Sequence, residues 1–136
     1  MPDAAAGTAA AGMIAGGTGI TPMYQVAAAI LKDPRDSTQL SLLFGNISAE
    51  DILIQQELEA LQAAHPGRFK VYHVLNKPPA NWSGGEGFIS KAMIQEHLPA
   101  AGPGVMVLSC GPKPMVDAMK GYLDTLGHAE ENQFQF

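Results

Sequence analysis

Gly16-Gly17-Thr18-Gly19-Ile20-Thr21-Pro22, directly after the apolar run Met13-Ile14-Ala15, is the stretch that decides the fold. An apolar run that ends in glycines and then meets Thr-Pro reads as a strand, a tight turn and a helix start. Glycine lets the backbone take positive φ there and lets another group approach closely. Thr21 is expected to cap the helix, and Pro22 to fill its first position, where a missing N–H costs nothing. A helix N-terminus of this kind offers free N–H groups and a partial positive charge. The turn therefore reads as a phosphate site.

Outward from that turn, Met23, Val26, Ala27, Ile30 and Leu31 recur at helical spacing until Lys32-Asp33-Pro34 stops them. Leu40-Ser41-Leu42-Leu43-Phe44 makes a second strand before Gly45-Asn46. Ser48 and Asp51 form a capping-box pair, with Ile47 and Ile52 placed for a hydrophobic staple. Ile54, Leu58 and Leu61 give the next helix an inward stripe that ends before Pro66-Gly67. Phe69 to Leu75 is rich in β-formers and makes a third strand. After a loop from Asn76 to Gly87, Ser90 caps a short helix that runs through His97. Val105 to Ser109 is a fourth strand leading into Cys110-Gly111-Pro112. Met115, Met119, Tyr122 and Leu126 mark a last helix stopped by Gly127, and Gln133 to Phe136 alternates as an edge strand.

Strands alternating with helices through short connections predict an α/β fold. The expected architecture is three-layer α/β/α, a Rossmann-like parallel sheet of about five strands covered on both faces. Ligands of such sheets bind beyond the C-terminal strand ends, where the strand order reverses. Gly16–Pro22 and Cys110–Met115 both follow strands at that edge, so the two turns could face one ligand.

Size and composition narrow the function. A chain of 136 residues suits one domain with a real core. The net charge of −5 and the lack of a basic run exclude a general nucleic-acid binder. One cysteine, Cys110, rules out an internal disulfide framework and fits a reducing compartment. No apolar run approaches the roughly 20 residues that span a bilayer. The Ala/Gly-rich residues 1–11 read as a flexible lead-in, leaving 12–136 as the domain. His65, His73, His97 and His128 are scattered without metal-ligand spacing, so no metal site is expected. The turn lacks the Gly-Lys-Ser/Thr ending of a P-loop, which argues against ATP or GTP hydrolysis. Pro22 also stands where the third glycine of the usual dinucleotide fingerprint would be, and taken alone the turn could be purely structural.

The combination is more specific than any part. Gly16-Gly17-Thr18-Gly19-Ile20-Thr21-Pro22, Phe44-Gly45-Asn46 leading to Asp51-Ile52-Leu53, and Cys110-Gly111-Pro112-Lys113-Pro114-Met115 occur in one order. With Gly87-Phe88 and the Phe134-Gln135-Phe136 ending, they resemble the pyridine-nucleotide domain of NADH–cytochrome b5 reductases, within the ferredoxin-reductase-like superfamily. The resemblance runs from about Gly12 to Phe136. It implies an NAD(H)-binding domain with Gly16, Gly17, Thr18, Gly19, Thr21 and Pro22 near the cofactor's diphosphate and nicotinamide. Thr18 also faces the flavin. Asn46, Asn76 and Phe88 fall near the adenosine half. Cys110 and Thr18 are the implied catalytic pair, Cys110 lying close to the carbon that gives up hydride. Gly111, Pro112, Pro114 and Met115 shape the wall around it.

Bland readings stand beside these. Phe88 could be simple core, and Met115 only the first apolar residue of its helix. Cys110 need not be a reactive thiolate, because hydride transfer needs no nucleophile; its implied role is steric and electrostatic. Asn76 stands where many members carry Asp, whose charge disfavours NADPH, so NADH is expected to be preferred with less discrimination. Lys113 stands where proline is common, either as a solvated lysine or beside phosphate or an acidic partner.

The family's FAD-binding barrel, with its Arg-x-Tyr-Ser/Thr motif, is expected to be absent. Neither Arg35 nor Arg68 has Tyr two residues on, and Met1 to Gly12 cannot hold a barrel. The implied reaction passes hydride from NADH to FAD and then single electrons to the haem of cytochrome b5. This chain supplies the NADH half, as a partial product whose FAD-binding domain acts in cis or trans. Alternatives are a non-enzymatic NAD(H)-binding module joining a separate flavin protein, the reductase domain of a nitrate-reductase-like protein, or an ordinary Rossmann dehydrogenase. No His/Lys/Tyr constellation for acid–base work supports the last. Leu75-Asn76-Lys77-Pro78-Pro79 and the Phe-Gln-Phe ending favour the b5 branch. As it stands the chain is expected to be soluble and cytoplasmic, with full-length relatives often on the endoplasmic reticulum or mitochondrial outer membrane.

Overall fold

In a computed structural model, which describes residues 9–136, six parallel strands form one sheet in the order β4-β3-β2-β1-β5-β6. The strands are β1 (Ala10–Gly16), β2 (Gln39–Asn46), β3 (Phe69–Leu75), β4 (Gly85–Glu86), β5 (Val105–Cys110) and β6 (Gln133–Gln135). Four helices connect them: α1 (Ile20–Lys32), α2 (Gln55–Ala64), α3 (Lys91–His97) and α4 (Lys113–Thr125). β1 lies at the centre, with β2 on one side and β5 on the other. The chain builds outward from β1 in one direction, then returns to build in the other, so the switch point lies between β1 and β5.

Alternation along the strands fills two cores. Met13, Ala15, Leu42, Phe44 and Leu108 pack under α1 and α2, which contribute Ile20, Met23, Ala27 and Leu58. Ile14, Leu43, Val74 and Val107 face the other way, under Ile94 of α3 and Met119 and Leu123 of α4. The three layers are those the alternation predicts.

The strand boundaries correct the lead-in. Residues 1–8 of it lie outside the described residues, but Ala10 and Ala11 already belong to β1. They pair with Gln39 and Leu40 of β2 and with Val105 and Met106 of β5. Alanine is a weak strand former, and pairing on both sides overrides that local preference. The sixth strand, β4, was not legible either. It has two residues, one of them glycine, and is tied in place by Trp82, whose indole Nε1 donates to the Gly85 carbonyl at 2.9 Å.

Helix starts also differ. A 3₁₀ turn over Gly17–Gly19 follows β1, and α1 begins at Ile20 with Gly19 as its N-cap and no side-chain cap. Thr21 and Pro22 are therefore the second and third helical residues, and Thr21 caps nothing. Pro22 is still tolerated, because the first four N–H groups of a helix have no intrahelical acceptor. The Ser48–Asp51 capping box does form, with Asp51 Oδ2 accepting from the Ser48 N–H at 3.1 Å and its hydroxyl at 2.8 Å. It opens only a 3₁₀ turn, Ala49–Asp51. Ile54 then sits at φ 45°, ψ 36° before α2 starts at Gln55. Ile47 remains 58% exposed while Ile52 packs against the core, so the expected staple gives way. Ser90 caps α3 as expected, accepting from the Met93 N–H at 3.2 Å. Gly127, at φ 90°, ends α4.

Candidate nucleotide site

The C-terminal strand ends bring the predicted residues into one row. Gly16 pairs with Gly45, and Ala15 with Cys110, which sets the Gly16–Gly19 turn beside the Cys110–Met115 turn. On the other side, the Asn76 N–H donates to the Asn46 carbonyl at 3.1 Å, and the Gly87 N–H to the Leu75 carbonyl at 2.8 Å. The row across the sheet edge is thus Phe88, Asn76, Asn46, Gly16 and Cys110. From β4 to β5 it covers four strand spacings, about 19 Å. That length suits a ligand with two separated ring systems better than a mononucleotide.

Glycines make the junction at the switch point possible. A Cβ on Gly19 would fall on the Cys110 carbonyl oxygen, 2.6 Å from its carbon and 3.0 Å from the Gly111 nitrogen. A Cβ on Gly16 would stand 2.6 Å from Met115 Sδ and 3.3 Å from Pro112 Cδ. One on Gly111 would meet Met115 Cε at 2.6 Å and the Gly16 nitrogen at 3.2 Å. The two turns therefore touch through backbone, with the Met115 thioether packed over both. Gly17 is different: it takes φ 54° with nothing within 4 Å of its missing side chain. Its outer side is open, beside exposed Thr18 and ahead of the α1 N-terminus.

Thr21, Pro112 and Pro114 are exposed, Pro22 and Cys110 half-buried. Pro112 is the N-cap of α4 and Pro114 lies in its first turn. Lys113 forms an exposed ion pair with Asp117 at 2.8 Å, which holds its ammonium charged and raises its pKa. Phe88 is 83% exposed, which excludes the core reading. Met115 does pack against the α3–α4 core, and also against the two glycines, so its two readings coexist.

The motif points to Asn46 but not to the state of its side chain. It is 9% exposed, and its Nδ2 is buried with no hydrogen-bond partner. An orphan amide donor at a ligand edge fits a site that a ligand completes. The glycines signal only that some group can approach closely; that Cys110 meets Gly19 is seen only in the fold. Among the described residues no group of His, Cys, Asp and Glu could hold a metal ion.

A parallel sheet with its glycine turn and second turn meeting at the switch point defines a nucleotide-binding α/β domain. The oxidoreductase NAD-binding domain family matches residues 13–121, and the chain belongs to it. The chain is 52% identical over 125 residues to NADH–cytochrome b5 reductase 1 of Arabidopsis thaliana, covering 92% of this chain and 44% of that protein. It superimposes on the cytochrome b5 reductase domain of Ulva prolifera nitrate reductase with a TM-score of 0.91 at 40% identity. That match covers 95% of this chain and 50% of the other. The CS-b5R domains of human Ncb5or, in an NAD+ form, give 0.84 at 30% identity, over 95% of this chain and 37% of that one. The chain spans less than half the length of the curated relatives it matches. Among the described residues no helix is long and apolar enough to cross a membrane.

Proposed function

We propose that this chain is the NADH-binding half of a cytochrome-b5-reductase-type flavoprotein. The observation that carries the reading is the junction of Gly16 and Gly19 with Cys110, Gly111 and Met115 at the switch point. The residues suit the ligand. The open side of Gly17 and the α1 N-terminus offer a place for the diphosphate, where the positive end of a helix dipole favours anions. The unpartnered Asn46 amide, Asn76 and exposed Phe88 serve the adenosine half, two, three and four strands from the strand that carries Cys110.

FAD, held by a separate domain in cis or trans, supplies hydride acceptance and single-electron release toward a haem acceptor such as cytochrome b5. This chain's part is positional. The Gly19–Cys110 contact fixes Cys110 relative to the turn that ends β1, so its side chain limits where the nicotinamide can sit. Thr18 is exposed at the tip of that turn, where a flavin domain would approach. We place the protein in the reducing cytosol, alone or on a membrane's cytosolic face.

Titration calorimetry of the purified chain with NADH tests the first half of the reading. Binding without retained flavin is expected; no binding at millimolar NADH overturns it. A purified chain that is yellow and reduces ferricyanide with NADH would overturn the division of labour. A second reading, the reductase domain of a nitrate-reductase-like protein, is favoured by the 0.91 superposition. The acceptor reduced when this chain is combined with its FAD-binding domain separates the two.

A further inference from the structure

Of the seven methionines, Met13, Met23 and Met119 are buried at 0%, 0% and 2% exposure. Met93, Met106 and Met115 are half-buried. Only Met115 of these three lies where the turns meet. Its Sδ and Cε occupy the space over Gly16 and Gly111 that side chains would otherwise fill. A thioether suits that place because it is soft, apolar and unbranched. An oxygen added to the sulfur would be a strong dipole packed against two backbone segments that must stay close.

We propose that Met115 is a hydroperoxide-sensitive modification site, and that its sulfoxide loosens the junction of the two turns and weakens NAD(H) binding. The effect on binding rests on the site assigned under Proposed function; the oxidation does not. In the step, a sulfur lone pair attacks the terminal peroxide oxygen and the O–O bond breaks as the S–O bond forms. The other oxygen leaves as water or an alcohol, carrying the proton. Sulfur loses two electrons and the peroxide gains them. Methionine sulfoxide reductases reverse the change with thiol reductant.

The test treats the purified chain with hydrogen peroxide, with and without NAD+, and maps sulfoxide at each methionine by peptide mass spectrometry. Met115 should oxidise at least as fast as Met93 and Met106, and NAD+ should slow Met115 alone. The oxidised chain should bind NAD+ about tenfold more weakly, the scale expected for burying an unpaired polar oxygen. Methionine sulfoxide reductase with dithiothreitol should restore affinity. Met115→Leu, whatever its starting affinity, should lose none on treatment. Recovery with dithiothreitol alone would assign the loss to Cys110 and overturn the proposal. So would an unoxidised Met115 beside oxidised Met93 and Met106, or an equal loss in Met115→Leu. Absence of NAD+ binding before treatment overturns the site assignment and the coupling, while Met115 sulfoxide formation is scored separately.

Discussion

The two ends of the row at the sheet edge are built in opposite ways. At the β1/β5 end, Gly16, Gly19 and Gly111 let backbone and thioether pack without intervening side chains. At the β2–β4 end the surface is open: Ile47 is 58% exposed, Leu53 43% and Phe88 83%. Ile54 there holds a left-handed conformation that costs a β-branched residue about 1–3 kcal/mol. Under the proposed function, close packing suits the end where reacting atoms would be held within a fraction of an ångström. Open apolar side chains suit an end that only has to grip a ring. The difference separates positioning from affinity, and each can be broken alone.

The largest effect is expected at the packed end. Gly19→Ala places a methyl on the Cys110 carbonyl, and backbone cannot swing aside as a side chain would. A loss of about 3 kcal/mol is expected, at the upper end of ordinary overpacking. Gly17→Ala meets open space and suffers only from its φ of 54°, about 1–2 kcal/mol. Urea denaturation of both variants tests the contrast. Equal midpoints would mean that the junction is not packed as described.

Acid should weaken the frame that carries both ends. Burial lowers the pKa of His73 and of His128 below the ordinary 6.5. His73 Nδ1 is buried without a partner, with Phe44 beside the ring at 5.8 Å. A depressed histidine pKa means that the unfolded chain binds more protons below pH 6.5. The stabilisation from neutral burial is complete above pH 6.5 and is lost as pH falls beneath it. Unfolding free energy measured from pH 7.5 to 5 should decline, and His73→Gln should flatten part of that decline. A flat profile in the parent chain would show that neither ring is buried in solution.

How much of this was legible follows the same division. The three layers, β3 and the caps at Ser90 and Gly127 were readable because period, capping and glycine chemistry are local. The two turns were readable as partners, since strand-end turns of a parallel sheet share an edge. What the chain hid depends on non-local pairing. Ala10–Ala11 became strand because neighbours lie on both sides, and Gly85–Glu86 became strand because Trp82 ties it down. The helix start moved to Ile20 because the Gly17–Gly19 turn winds directly into it, leaving Thr21 nothing to cap. The Asn46 orphan amide and the Gly19–Cys110 contact exist only in three dimensions.

At the open end, Phe88→Ala removes a side chain the fold does not use. Stability should stay within about 0.5 kcal/mol, as for surface substitutions generally. NADH affinity should fall severalfold, since a ring face lost to solvent is worth about 1 kcal/mol. Unchanged affinity would remove Phe88 from the site and shorten the row to Asn76.

The smallest effect sharpens the comparison at one atom. Asn76 is half-buried and tied to Asn46 through its N–H, three strands from Cys110, at the end of the row proposed for adenosine. Asn76→Asp adds a negative charge without changing shape. Against the extra phosphate of NADPH, that charge costs about 1 kcal/mol at exposed distances. The NADH/NADPH affinity ratio should therefore rise about fivefold while NADH affinity itself barely moves. Titration with both nucleotides reads this directly. A matching loss of NADH affinity would mean that position 76 senses the shared phosphates, and the open end would then extend toward Gly16. An unchanged ratio would place the adenosine half elsewhere on the sheet edge, leaving the packed junction as the part of the site still standing.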